Sequence, residues 1–164
     1  MNKLIVAMLA MAFSASAMSA EPAAAPAATQ PTEEQVIAQF KQHLAAKRAD
    51  VMAKGLTLTA EQASKFWPLF EQYQKEQDVS VDAQIKATQA YNNHFATLTD
   101  AQALEYVNAL LARDEAAHDL RVKWLAKFQT VVPPKVAARA IQLDRRLSQV
   151  VQVQVSSQIP LITQ

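Results

Sequence analysis

The chain has 164 residues, 51 % of them hydrophobic, with one glycine, no cysteine and a formal net charge of +1. The absence of thiols excludes disulfides and a cysteine nucleophile, so stability must come from packing. A single glycine excludes a Gly-rich phosphate loop, and the balanced charge argues against nucleic acid as a partner.

The N-terminus reads as a secretory signal over residues 1–20. Lys3 supplies the positive start, and Leu4 to Phe13 form a ten-residue apolar run that is too short to span a bilayer as a helix. Small residues follow, and cleavage after Ala17 or Ala20 fits them. No cysteine follows the run, which excludes lipid attachment there. The expected location of the mature chain is the periplasm. Residues 21–32 are Ala/Pro-rich and read as a linker without apolar periodicity.

The remainder reads as an all-α domain over 33–158. Ala, Gln, Lys, Glu and Leu dominate it, and β-branched alternation is scarce. A first helix is expected over about 33–53, opened by a capping box of Thr32 and Gln35. Gly55 is expected to end it as a left-handed cap. A second helix should start after Thr59 and run to about Ala96. Its buried stripe is Phe66, Phe70, Tyr73, Gln77, Val81, Ile85, Thr88, Tyr91 and Phe95. Pro68 lies inside this helix, where it should bend it, or else divide it near Trp67.

A third helix should begin after Thr99 and run to about Thr130. Leu104, Val107, Leu111, His118, Val122, Leu125 and Phe128 follow the helical spacing and are its expected buried stripe. Pro133-Pro134 stops it and opens a fourth helix to about Val155, with Val136, Ala140, Ile141, Leu143, Leu147 and Val150 facing inward. The alternation of Val151, Val153 and Val155 is strand-like, but no partner strand is evident elsewhere, which favours helix. Residues 159–164 form an apolar tail around Ile159-Pro160-Leu161-Ile162. The short turn near Leu98 predicts a long antiparallel central hairpin, hence an elongated four-helix protein with uncovered apolar surface.

Charge is segregated. Residues 59–119 hold four Lys/Arg and ten Asp/Glu, a net of −6; residues 120–164 hold seven Lys/Arg and Asp144, a net of +6. The blocks either neutralise each other across a helix pair or dimer, or the basic one faces a partner. Lys123, Lys127, Lys135, Arg139, Arg145 and Arg146 are the candidate client-binding residues. Trp67 and Trp124 sit beside the stripes, with core packing as their default role.

No catalytic centre emerges. Asp114, Glu115, His118 and Asp119 are the most reactive-looking cluster, with Asp114 and His118 four residues apart. A solvated acidic face with His118 held by Asp114 is the preferred account, because an active site also needs a pocket, which no spacing here reveals. His43, His94 and His118 fall on three different expected helices, so no metal site can be read from spacing. The reading is therefore of a non-enzyme without cofactor.

One pattern occurs twice: Leu58-Thr59-x-x-Gln62 and Leu98-Thr99-x-x-Gln102. Each Thr can cap a helix while its Gln reaches back to the cap N–H. With the signal, the lack of cysteine and the four helices, these repeats resemble the periplasmic Spy/CpxP superfamily, over roughly residues 33–162. The segments Lys65-Phe66-Trp67-Pro68-Leu69-Phe70 and Val132-Pro133-Pro134-Lys135 look like a less characterised branch. The resemblance implies a curved antiparallel homodimer that holds unfolded or partly folded envelope proteins without ATP. The alternative it implies is a stress-pathway module that binds a membrane sensor protein.

Overall fold

The computed structural model describes residues 30–163. The expected signal segment and most of the expected linker lie outside them. The fold is all-α. Its helices are α1 (Glu33–Gly55), α2 (Ala60–His94), α3 (Asp100–Gln129) and α4 (Pro134–Ser156), with a 3-10 turn at Phe95–Thr97 after α2. No strand occurs among the described residues. The valines at 151, 153 and 155 thus complete a helix, as the lack of a partner strand requires. No helix among the described residues is long and apolar enough to cross a membrane.

Of the described residues, 30–44 fall in one compact unit and 45–163 in a second, and α1 crosses the division. In the first unit, the start of α1 is fixed by its own cap. The Thr32 N–H donates to Gln35 Oε1 at 2.9 Å, and the Gln35 N–H donates to Thr32 Oγ1 at 3.3 Å.

The second unit holds the main core. Met52 and Leu56, Phe66, Phe70 and Tyr73 of α2, Trp124 and Phe128 of α3, Val132, and Ala137 and Ala140 of α4 are buried together. Aromatic pairs join α2 to α3. Phe66 lies 5.0 Å from Phe128, Tyr73 lies 5.7 Å from Trp124, and Tyr91 stacks on Tyr106 at 4.2 Å. Position numbers rise along α2 as they fall along α3. The large buried rings gather over Phe66–Tyr73, while Val81, Ile85 and Thr88 are only half-buried.

Both Leu-Thr-x-x-Gln repeats open helices as their chemistry demands. Thr59 and Gln62 exchange bonds of 3.1 and 3.2 Å, and Thr99 and Gln102 exchange bonds of 3.0 and 3.3 Å. Each repeat satisfies two N–H groups that a helix start leaves without an internal acceptor. Leu58 is half-buried against the core. α2 continues through Pro68 without dividing. Pro68 and Ser64, whose carbonyl loses its usual donor, are both exposed, so water can serve that oxygen.

Two expectations are corrected. Gly55 ends α1, but no glycine among the described residues has a positive φ. What Gly55 provides is space, since a Cβ there would land on Leu143 of α4. Gly55→Ala gains about 1 kcal/mol of helix propensity and must displace Leu143, so its net effect should be small. Gly55→Val should lower stability by about 1–3 kcal/mol through overpacking, as read by urea unfolding.

The second correction concerns α3. Leu104, Val107, Leu111, His118 and Val122 are exposed rather than buried. The inward face carries Tyr106, Leu110, Ala117, Leu120, Trp124 and Phe128 instead, all buried or half-buried. At 100° per residue these two rows lie on opposite sides of the helix. Both rows are periodic, and the aromatic one goes inside because Trp, Tyr and Phe remove more apolar area from water. On α4, Val150 is likewise exposed, while Ala137 and Asp144 take inward positions.

Candidate functional site

The six basic candidates divide by what holds them. Lys123 pairs with Glu76 across α2 and α3 at 2.7 Å. The Trp124 Nε1–H donates to the same carboxylate at 3.0 Å. The Lys123 bond, and then the Trp124 bond, hold the Glu76 carboxyl below the usual glutamate range. Lys127 Nζ sits 4.0 Å above the Trp124 ring, a cation–π contact. Arg139 Nε donates to the Gly55 carbonyl at 2.6 Å and so caps the C-terminus of α1. These three cations serve the chain's own structure. Lys135, Arg145 and Arg146 are exposed on α4.

Sequence reasoning missed the polar centre beneath this surface. Asp144 is 1 % exposed. Its Oδ2 accepts from Tyr73 O–H at 2.8 Å and from Arg121 Nε at 3.0 Å, and its Oδ1 accepts from Gln77 Nε2 at 2.8 Å. One carboxylate thereby ties α2, α3 and α4. Burial pushes the Tyr73 phenol upward, and the neighbouring Asp144 charge adds to this. Arg48 of α1 is also buried, which lowers its guanidinium, while Asp144 and Asp78 act in the opposite sense. Its Nη1 stands 3.7 Å from Asp78 Oδ1. The available signal was spacing: Ala137, Ala140 and Asp144 share one face of α4 at intervals of three and four.

The acidic cluster on α3 does not converge on a cleft. Asp114 pairs with Arg113 at 2.7 Å, and Glu115, His118 and Asp119 are exposed. An open depression of about 480 Å³ lies elsewhere, among Thr59, Gln62, Lys65, Thr130 and Val132. Among the described residues no three His, Cys, Asp or Glu side chains gather in a metal-holding group.

Several large apolar side chains on α3 and α4 are exposed. Leu104 is 64 %, Leu111 61 % and Val122 58 % exposed along one side of α3, and Val150 is 57 % and Val153 68 % exposed on α4. On α4 the outward row runs Lys135, Arg139, Gln142, Arg146, Val150, Val153, cationic first and apolar last. In the C-terminal tail the Tyr91 O–H donates to the Pro160 carbonyl at 2.8 Å, and Leu161 beyond it is 89 % exposed. Compared with family models, curated proteins and solved structures, the chain finds no match.

Proposed function

We propose that this chain is an exported, ATP-independent chaperone-like protein. It would hold non-native envelope proteins on a basic, partly apolar helical surface. The carrying observation is the exposed row Leu104, Val107 and Leu111 on α3, together with Val150, Val153 and the cations of α4. Unfolded chains expose apolar segments, and a mixed surface attracts them first by charge and then by weak apolar contact. The doubled Leu-Thr-x-x-Gln motif and its Spy/CpxP resemblance support the same reading. The motif residues Leu58, Thr59, Gln62, Leu98, Thr99 and Gln102 would serve it indirectly, by starting the helices that carry the surface.

The test is light scattering of an aggregating client. The protein at equimolar ratio should suppress the signal, and an unchanged signal rejects the reading. Lys135→Gln with Arg145→Gln should weaken holding by about tenfold at low ionic strength and by less in high salt. Neither side chain supports the fold, so circular dichroism should be unaltered.

A second reading is a regulatory module that binds a periplasmic domain of a membrane sensor. The exposed Leu161, presented from a tail pinned at Tyr91, favours it. A pull-down that yields one tight partner, lost on removal of residues 161–164, supports regulation. Many weak partners support holding.

A further inference from the structure

We propose that one water molecule is a fixed member of the buried polar centre, seated where α1 meets α2. It accepts from Arg48 Nη1 and donates to Gln77 Oε1, and its second O–H serves Asp78 Oδ1. Arg48 and Gln77 are each 7 % exposed. Arg48 Nη1 and Gln77 Oε1 are themselves shielded from solvent, and neither meets a hydrogen-bond partner among the described residues. A buried donor and a buried acceptor left in this way each forfeit the bonds they make in water.

Gln77 cannot remedy this by turning its amide over. Its Nε2 donates to Asp144 Oδ1 at 2.8 Å and to the Tyr73 hydroxyl oxygen at 3.0 Å. A carboxylate only accepts, so the amide nitrogen must face Asp144 and Oε1 must face away from it. The Tyr73 hydroxyl cannot help, because its proton is already given to Asp144 Oδ2.

Arg48 lies beside the same groups. α1 rests on α2 here, where Gln74 Nε2 donates to the Ala45 carbonyl at 3.0 Å. The Arg48 guanidinium feels the charge of Asp144, which holds Gln77, and that of Asp78, the residue after Gln77. Its Nη1 stands 3.7 Å from Asp78 Oδ1, outside hydrogen-bond range. A polar separation above about 3.5 Å is one that a bridging water commonly serves.

The chemistry selects water over an ion. The seat needs a molecule that accepts once and donates to one or two oxygens, within the two to four partners usual for a buried water. An anion could accept from Arg48 but could not donate to Gln77 Oε1, and it would stand near two carboxylates. A metal cation could not accept from Arg48 and would be repelled by it. Asp78, with its side chain 37 % exposed, supplies a way in from solvent. Asp144 ties α2, α3 and α4 directly, and the water extends that tie to α1 through Arg48.

The test is a high-resolution crystal structure of the full mature chain. It should show one ordered water within about 3.2 Å of both Arg48 Nη1 and Gln77 Oε1. A direct bond between these two atoms, another side chain between them, or a dry contact overturns the proposal. In solution, oxygen-17 relaxation dispersion counts waters held for longer than nanoseconds. Arg48→Met removes the donor, and its count should fall by one from that of the wild type. Asp78→Asn keeps an oxygen at the rim and should retain the water. An unchanged count for Arg48→Met overturns the proposal, and so does loss of the water in Asp78→Asn, which would place its hold at the rim and not on the buried pair. Circular dichroism checks that each variant is folded, and if Arg48→Met is not, the wild-type crystal structure decides alone.

Discussion

Replacing Asp144 with alanine should lower the unfolding free energy by about 3–5 kcal/mol, as read by urea denaturation. The carboxylate accepts three hydrogen bonds, from Tyr73, Gln77 and Arg121, while itself 1 % exposed. Removing it leaves a phenol, an amide and a guanidinium without their acceptor in the low-dielectric interior. Arg121, whose side chain is 21 % exposed, can turn toward water. Arg48, at 8 %, has no such exit and loses the nearest fully buried carboxylate. The cost is therefore a buried charge left with Asp78 alone, 3.7 Å away, and it exceeds what any one of the three bonds contributes. Tyr73→Phe removes one of those bonds and should cost about 1–2 kcal/mol. Its effect should not add to that of Asp144→Ala, because both act on the same group. A loss below about 1 kcal/mol for Asp144→Ala would show that the network contributes little beyond its own desolvation.

How much of this arrangement is legible in the sequence depends on which residue is asked. Helix starts were plain, because Thr59, Thr99 and Thr32 each announce themselves through a Gln three positions on, and a capping box is local chemistry. The stop at Pro133-Pro134 was equally local, since neither proline can donate. The inward face of α2 was readable because its aromatics fall on one side only. The face of α3 was not, for a reason that spacing cannot resolve. Leu104, Val107 and Leu111 make one apolar row, and Tyr106, Leu110, Trp124 and Phe128 make another. Only the neighbours on α2 decide which row is covered. The sequence marks Gly55 by its conformational freedom, whereas the structure uses its lack of a side chain against Leu143, a contact 88 positions away. In the sequence, Asp144 stands as the single acid in a basic block. Its partners come from two other helices, so nothing near it in sequence marks it as buried. Among the basic candidates, Lys123, Lys127 and Arg139 looked free because Glu76, the Trp124 ring and the Gly55 carbonyl reach them only through the fold.

Trp124→Ala should cost about 3–5 kcal/mol, the range for deleting a fully buried large aromatic. Trp124 is completely covered and stands where α2 and α3 meet. Its ring lies 5.7 Å from Tyr73 and 5.6 Å from Phe128. The cavity would open beside the polar centre, so Tyr73 would lose packing on one side while still bonded to Asp144 on the other. Two surface contacts would go with it: the Nε1–H bond to Glu76 and the seat of Lys127 over the ring. Trp124→Phe separates these contributions. It keeps most of the apolar volume, deletes the indole donor, and leaves Glu76 with Lys123, so it should cost about 1–2 kcal/mol. The ordering of the two variants follows from where the energy resides. Were Phe as costly as Ala, the Glu76 bond rather than the ring would be joining the helices, and the aromatic cluster would be filler around a polar clasp. Thermal unfolding followed by far-ultraviolet circular dichroism distinguishes the two, because the remaining Trp67 complicates a fluorescence readout.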